Sequence, residues 1–197
     1  DCFMQQPFWK CSGEIRSNLE RDFLRIVECC KIIGINLIVV PLVDNGSLKN
    51  KKQEDYLVSF LKDHINYFHD QEVQVTFESD FDPIALAKFI SRLDPEIFGI
   101  NFDTGNSAAL GFYPTEELNA YGTRVLNVHI KDRLYKGTTV PLNEGNVDFD
   151  LVFKGLKNIS YKGNLVLQTA RATDQDHASA LVRYGNMTNR WIRDYDL

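Results

Sequence analysis

Four polar side chains stand at the predicted carboxyl ends of four successive strands: Glu78, Asp103, His129 and Gln168. The intervals between them are 25, 26 and 39 residues, so each belongs to its own strand-and-helix repeat. Two carboxylates, an imidazole and an amide oxygen form a hard ligand set that suits Mn²⁺ or Mg²⁺, and Co²⁺ or Zn²⁺ less selectively. One such residue alone is more often structural. Four at equivalent positions favour a shared metal site.

The elements that must position these residues alternate between helix and strand. Apolar residues spaced by three and four predict helices, and short runs of branched residues predict strands. The predicted strands are 35–40, stopped at Pro41, then 73–78, 98–103, 124–130 and 164–168. The predicted helices are 16–33, 53–68, 82–93, 115–121, 148–158 and 175–191. This alternation requires parallel strands joined by right-handed crossovers.

Two parallel architectures fit this order, an open doubly wound sheet and a closed (β/α)8 barrel. No G-x-G-x-x-G or P-loop sequence follows a strand, which removes the commonest nucleotide-binding form of the open sheet. In a barrel the carboxyl ends of the strands surround one mouth. The polar residues at these ends therefore favour the barrel.

Length and composition exclude several classes of protein. The chain has 197 residues, 44% hydrophobic and 25% charged, which predicts one globular domain over residues 1–197. Its richest apolar run, 32–43, is too short and too interrupted to span a membrane. The formal charge of −5 lacks the basic surface typical of nucleic-acid binding.

The four cysteines indicate a reducing compartment. Cys2, Cys11, Cys29 and Cys30 form no C-x-x-C pair, and a bridge between the adjacent two would be strained. Three glycosylation-like triplets are of the kind that arise by chance, and no secretory leader opens the sequence. We therefore expect a cytoplasmic protein with reduced thiols.

Five segments of the chain resemble the xylose isomerase-like TIM-barrel family of sugar isomerases and epimerases. Within it, they are most similar to L-ribulose-5-phosphate (L-xylulose-5-phosphate) 3-epimerases and ketose 3-epimerases. The similarity runs from about Glu20 to the C-terminus. The segments are 77–80, 103–107 with Gly111, 128–132, 140–149 and 161–168.

The resemblance implies a catalytic metal, usually Mn²⁺, held by Glu, Asp, His and a second Glu. The first three correspond to Glu78, Asp103 and His129, whereas the fourth position is Gln168. In such enzymes the metal stabilises an enediolate while one Glu removes a proton beside the carbonyl and the other returns it. Gln168 cannot act as a base, although its amide oxygen can still bind a metal. We therefore expect two-base epimerisation to be lost, with one-base or water-assisted isomerisation remaining.

Other residues near the predicted mouth are candidates for binding a small sugar or sugar phosphate. Arginine and lysine suit anionic groups, and the Gly-Asn-Ser turn offers backbone N–H groups. Each candidate is also compatible with a salt bridge or a simple turn. The candidates are Asn106, Lys131, Asp132, Arg133 and Arg171.

The length also departs from the family pattern. Barrels of this type have about 250 residues, whereas only five strands are clear here, with a sixth fragment at Cys2 to Met4. We expect the first one or two β/α units to be missing. An open barrel would expose strand edges, so either the chain is truncated or another chain covers the edge, as in a homo-oligomer.

Two alternatives to a metal-dependent isomerase or epimerase follow from the same residues. A barrel that has lost its second base could bind sugar without turnover. A phosphodiesterase resembling endonuclease IV would need more histidine and acidic ligands and a basic groove, and the chain has only four histidines.

Overall fold

The computed structural model describes residues 6–197, so the predicted strand fragment at Cys2 to Met4 lies outside the described residues. The chain divides into two compact units. The first comprises residues up to 81 together with 85–100, and the second comprises 82–84 and 101–197. No helix among the described residues has the length and apolar content needed to cross a bilayer.

Helices and strands alternate along the chain. The helices are α1 (Gly13–Ile32), α2 (Lys51–Asp63), α3 (Ile65–Gln71), α4 (Pro83–Ile90), α5 (Thr104–Leu110), α6 (Pro114–Tyr121), α7 (Phe149–Asn158) and α8 (His177–Tyr195). The strands are β1 (Leu37–Leu42), β2 (Gln74–Ser79), β3 (Phe98–Asp103), β4 (Val125–Ile130), β5 (Asp132–Arg133), β6 (Thr139–Val140) and β7 (Asn164–Leu167). The main sheet has the strand order β1-β2-β3-β4-β7, and β5 and β6 form a small antiparallel hairpin.

In the first unit, β1, β2 and the start of β3 pair in parallel. An aromatic cluster packs beside them. Phe8 lies 4.7 Å from Phe60 between ring centroids, and Phe23 lies 6.1 Å from Phe68. All four rings are buried. Burying a phenylalanine stabilises a fold by roughly 1.5–3 kcal/mol, so this cluster holds the helices of the unit together.

In the second unit, β4 and β7 pair in parallel, with His129 opposite Val166. Helix α7 places Phe149 and Phe153 against Trp191 of α8, with ring centroids 4.4 and 5.3 Å apart. Asp148 caps the start of α7 by accepting a hydrogen bond from the Leu151 N–H. The cap satisfies one of the unpaired N–H groups of the first turn.

The predicted order of elements is confirmed, but three local predictions are wrong. Pro41 lies inside β1 and does not end it. Because β1 is an edge strand, the missing proline N–H is tolerated there. The helix predicted over 53–68 is interrupted at His64, whose backbone leaves helical geometry (φ −107°, ψ 14°). The Gly-Asn-Ser sequence at 105–107, predicted to be a turn, lies inside helix α5, which begins at Thr104 after its N-cap Asp103.

Candidate active site

Asp103 is the best-defined member of the predicted site. It ends β3, and its Oδ1 accepts a hydrogen bond from the Asn106 N–H (2.8 Å), which caps α5. Its Oδ2 lies 3.6 Å from His129 Nδ1, and the side chain is only 1% exposed. One carboxylate therefore starts a helix with one oxygen and faces the imidazole with the other.

Two asparagines that the sequence prediction did not include form a hydrogen-bonded chain that ends at His129. The Asn101 amide nitrogen is 3.1 Å from His129 Nδ1, and the Asn127 amide donates to Asn101 Oδ1 (2.6 Å). Both asparagines are 3% exposed. Each precedes a predicted ligand by two residues and so lies on the same face of its strand. A polar residue inside an apolar strand was the available signal.

Lys131 connects several of the predicted residues. Its ammonium group lies 3.4 Å from Asp103 Oδ2, 3.2 Å from Asn106 Oδ1 and 2.8 Å from Gln168 Oε1. The aliphatic part of the side chain crosses α5 at Gly105, where a Cβ would stand 2.6 Å from Lys131 Cγ. The glycine predicted as part of a turn therefore makes room for the lysine.

Gln168 follows β7 directly, and its backbone N–H donates to the carbonyl of Ile130 (3.1 Å). Gln168 is exposed, and its side-chain amide oxygen accepts a hydrogen bond from the Lys131 ammonium group. The structure thus joins Gln168 to Asp103 through a shared lysine.

Arg133 and Asn106 also lie in this group. Arg133 Nη1 donates to Asn106 Oδ1 (2.8 Å), while Nε and Nη2 donate to the Gly137 carbonyl at 3.2 and 2.7 Å. The guanidinium is therefore held between α5 and the β5–β6 hairpin. Arg171 is placed elsewhere, exposed in the segment after β7, beside a cavity that Ala172 and His177 also line.

Asp132, predicted to bind substrate, is fully buried and contacts its own loop. Its carboxylate accepts hydrogen bonds from the N–H groups of Gly145 (2.9 Å) and Val147 (3.1 Å). A Cβ at Gly145 would stand 2.1 Å from Asp132 Oδ1. The Glu-Gly-Asn-Val-Asp segment thus folds around this carboxylate, and Asp132 holds the loop between β6 and α7.

We expect Asp132→Ala to lower the free energy of unfolding by about 3 kcal/mol, because two partly buried N–H groups would lose a charged acceptor. Urea unfolding followed by circular dichroism would measure this change. Glu144→Ala, at an exposed position in the same loop, is the matched control and should change stability little. Equal stability of the two variants would contradict the role assigned to Asp132.

Glu78, predicted as ligand and base, lies in the first unit. It is the fifth residue of β2, opposite Pro41 of β1, and it is 8% exposed. Its place one residue before the end of β2 agrees with its predicted position at a strand end.

Sequence reasoning also missed a buried carboxyl group in α6. Glu117 is 3% exposed, and its Oε1 accepts hydrogen bonds from Ser107 Oγ (2.8 Å) and the Tyr121 hydroxyl (2.6 Å). Its Oε2 is buried without a hydrogen-bond partner among the described residues. Burial, more than the nearby charge of Asp103, raises the pKa of Glu117 to about 7. Adjacent glutamates at 116 and 117 gave no sequence signal that one is buried.

Comparison with known sequences identifies relatives over most of the chain. Residues 7–185 match the sequence profile of a family described as the xylose isomerase-like TIM barrel. An inosose dehydratase from Bacillus cereus (strain AH820) is 27% identical over 196 residues, covering 81% of this chain. The chain spans 62% of the length of that relative.

Solved structures give the same fold. A structure titled as the IOLI protein with a bound zinc atom superposes with a TM-score of 0.78 at 18% identity, covering 94% of this chain and 73% of the other. A D-tagatose 3-epimerase-like protein gives a TM-score of 0.76 at 19% identity, covering 96% and 74%. At these identities the likeness establishes the fold, a parallel sheet of five strands compatible with part of a (β/α)8 barrel.

Proposed function

The chain belongs to the xylose isomerase-like TIM-barrel family, and from this premise we propose that it is a divalent-metal-dependent enzyme acting on a sugar or related polyhydroxy ketone. The proposed step is removal of a proton beside the carbonyl, leading to isomerisation or epimerisation. The dehydratase names among its relatives add elimination of water as a third outcome of this step. Membership confirms the predicted family and fold class, while closeness to the ketose 3-epimerases stays a prediction.

The donor set is the observation that carries this proposal. Glu78, Asp103 and His129 each offer one ligand atom, two carboxylate oxygens and one imidazole nitrogen. Ligands sharing one cation at roughly 2.1 Å lie about 3 Å apart, and Asp103 and His129 approach to 3.6 Å. The Asp103–His129 pair is therefore spaced for a shared divalent cation, and the proposal takes Glu78 as the third ligand from the sequence prediction. We propose Mn²⁺ first, with Mg²⁺, Co²⁺ or Zn²⁺ as alternatives, and the zinc atom in the IOLI structure supports metal binding by a protein of this fold.

A cation held there would act as a Lewis acid on the substrate oxygens and acidify the neighbouring C–H bond. In the proposal, Glu78, Asp103 and His129 hold the cation, and Glu78 also removes that proton. Asn106, Lys131 and Arg133 provide hydrogen bonds for the substrate hydroxyl or phosphate oxygens. Lys131 also donates to Asp103, which fixes the carboxylate whose second oxygen caps α5.

Gln168 limits the reaction to chemistry with a single base. Its amide cannot accept a proton at ordinary pH, and its oxygen already accepts a hydrogen bond from Lys131. Epimerisation by two carboxylates on opposite faces of the substrate is therefore disfavoured. Isomerisation and elimination of water each need one base to remove the proton. The protonated Glu78 carboxyl would then return that proton, to the neighbouring carbon in isomerisation or to the departing hydroxyl group in elimination, so one carboxyl group serves both reactions.

Gln168 also supports a second candidate function, a barrel that binds sugar without converting it. The loss of one carboxylate lowers both the basicity and the negative charge at the fourth position. We keep this candidate because Gln168 Oε1 is engaged by Lys131.

Exchange of substrate hydrogen with D₂O tests the enzymatic proposal. With Mn²⁺ present, we expect a member of a panel of ketoses, ketose phosphates and inososes to lose a C–H signal in the proton NMR spectrum. Glu78→Gln should slow this exchange at least about 100-fold, since a general base contributes roughly 10²–10⁴-fold. Glu28→Gln, at an exposed position on α1, is the control.

Gln168→Glu should increase Mn²⁺ affinity and the rate of exchange if residue 168 belongs to the site. Binding of a sugar without exchange in either protein would favour the non-catalytic candidate. No binding and no exchange across the panel would contradict both.

Two further predictions remain proposals. Cys11, Cys29 and Cys30 are free thiols, which fits the proposed cytoplasmic location. Association into a homo-oligomer is proposed to cover the edges of the open sheet.

A further inference from the structure

Arg133 is a partly buried cation held by neutral oxygens. Its three nitrogens donate to the Gly137 carbonyl and to Asn106 Oδ1 at distances from 2.7 to 3.2 Å. No carboxylate of residues 6–197 lies within ion-pair distance of it. Withdrawing a charge from water is costly unless an opposite charge compensates it.

The neighbouring lysine does not share this situation. Lys131 lies 3.4 Å from the Asp103 carboxylate and so has a counter-charge. Both cations donate to the same oxygen, Asn106 Oδ1, at 3.2 and 2.8 Å. The cluster of Asp103, Lys131 and Arg133 therefore holds two positive charges and one negative charge, and Arg133 carries the excess.

The hydrogen-bond geometry leaves part of the guanidinium available. An arginine has five N–H donors. The three hydrogen bonds of Arg133, two to the Gly137 carbonyl and one to Asn106 Oδ1, use one N–H each. One N–H on Nη1 and one on Nη2 remain. Arginine donors in this fork arrangement match two oxygens of a phosphate or a carboxylate.

The side chain is also fixed before any ligand binds. Gly137 belongs to the turn of the β5–β6 hairpin, and the Asn146 N–H donates to the backbone carbonyl of Arg133 (2.9 Å). A side chain that is already ordered loses less entropy on binding. Holding the hairpin alone would not require a guanidinium, because a neutral donor can bind the Gly137 carbonyl.

We propose that Arg133 binds an anionic group of the substrate, so that the preferred substrates are sugar phosphates or sugar acids and not neutral sugars. This inference rests on the proposed function, which places the substrate at this end of the second unit. The shared ligand chemistry is an oxyanion with at least two acceptor oxygens.

Binding of two simple anions tests the inference. Isothermal titration calorimetry of the whole chain in EDTA, which prevents binding through a metal ion, would use inorganic phosphate and D-gluconate as probes and D-sorbitol as the neutral control. We expect Arg133→Gln to weaken binding of at least one anion about tenfold or more, since a charged, bidentate contact is lost. Arg133→Lys should restore binding in part.

Arg193→Gln, in the last turn of α8, is the matched control and should bind as the unchanged chain does. Binding of phosphate alone identifies sugar phosphates, and binding of gluconate alone identifies sugar acids. If Arg133→Gln and the control Arg193→Gln unfold at the same midpoint temperature, a loss of anion binding in Arg133→Gln is not caused by a loss of stability.

Anion binding that is equal in Arg133→Gln and in the unchanged chain would overturn the inference, as would the absence of binding of both anions. The outcome is separable from the proposed function. Arg133-dependent anion binding in a chain that binds no Mn²⁺ would leave the inference standing and refute the metal-dependent reaction. Exchange of substrate hydrogen in D₂O without Arg133-dependent anion binding would support the metal-dependent reaction and refute the inference about Arg133.

Discussion

Asp103→Asn is expected to lower the affinity for Mn²⁺ at least about 100-fold, since even residues that only orient metal ligands contribute 10–100-fold. The substitution replaces a charged ligand oxygen with an amide facing His129 Nδ1 and Lys131, 3.6 and 3.4 Å from the present oxygen. Asparagine is as good a helix cap as aspartate, so α5 should still begin at Thr104. Isothermal titration calorimetry with Mn²⁺ would measure the loss.

Asp176→Asn is the matched control for this substitution. Asp176 caps α8 by accepting from the Ser179 N–H (3.1 Å), as Asp103 caps α5, but it is exposed and belongs to no proposed site. Asp176→Asn should keep nearly the unfolding temperature of the unchanged chain, whereas Asp103→Asn should lower it, because the partly buried Lys131 loses its counter-charge. The Mn²⁺ titrations are therefore made at a temperature where both variants are folded. Equal Mn²⁺ affinity in the two variants would remove Asp103 from the ligand set.

Glu117→Gln is expected to stabilise the protein at pH 8 but not at pH 4, relative to the unchanged chain. In the folded protein the pKa of Glu117 is raised from 4.5 to about 7, mainly by burial. Below pH 4.5 the carboxyl group is protonated in both the folded and the unfolded state, and the fold has its full stability. Between pH 4.5 and about 7 the unfolded state loses this proton more readily than the folded state, so the free energy of unfolding decreases as the pH rises. The shift corresponds to about 3 kcal/mol, which glutamine avoids because it does not titrate.

The measurement is the free energy of unfolding of both proteins in urea between pH 4 and pH 8. Their difference should grow by about 3 kcal/mol across this range. Glutamine keeps an oxygen for the hydrogen bonds from Ser107 and Tyr121, which limits other effects of the change. Glu116→Gln, the exposed neighbour, should give a difference that hardly changes with pH. A flat difference for Glu117→Gln would contradict the buried, titrating carboxyl group.

The sequence predicted elements well where local patterns and packing agree. The strand predicted at 98–103 coincides with β3, because a buried parallel strand is apolar on both faces. The break at His64 was missed because apolar residues continue at helical spacing on both sides of it. Pro41 was assigned to a strand end because its tolerance depends on β1 lying at the sheet edge, which no local pattern reveals.

For the site, the strand-end rule places Asp103 and His129 at neighbouring strand ends, and their side chains lie 3.6 Å apart. It could not predict that Asp132 points into its own loop, because consecutive polar residues after a strand look equivalent in sequence. The contacts of Asp132 with Gly145 and Val147 depend on how a loop of more than ten residues folds. The network through Lys131 likewise joins side chains 25 to 37 residues apart.

A crystal of the chain grown with Mn²⁺, measured for anomalous scattering at the manganese absorption edge, tests the central claim most directly. We expect one strong peak in contact with Glu78, Asp103 and His129. A crystal saturated with Mn²⁺ but lacking a peak at these residues, or showing peaks only at other side chains, would contradict it.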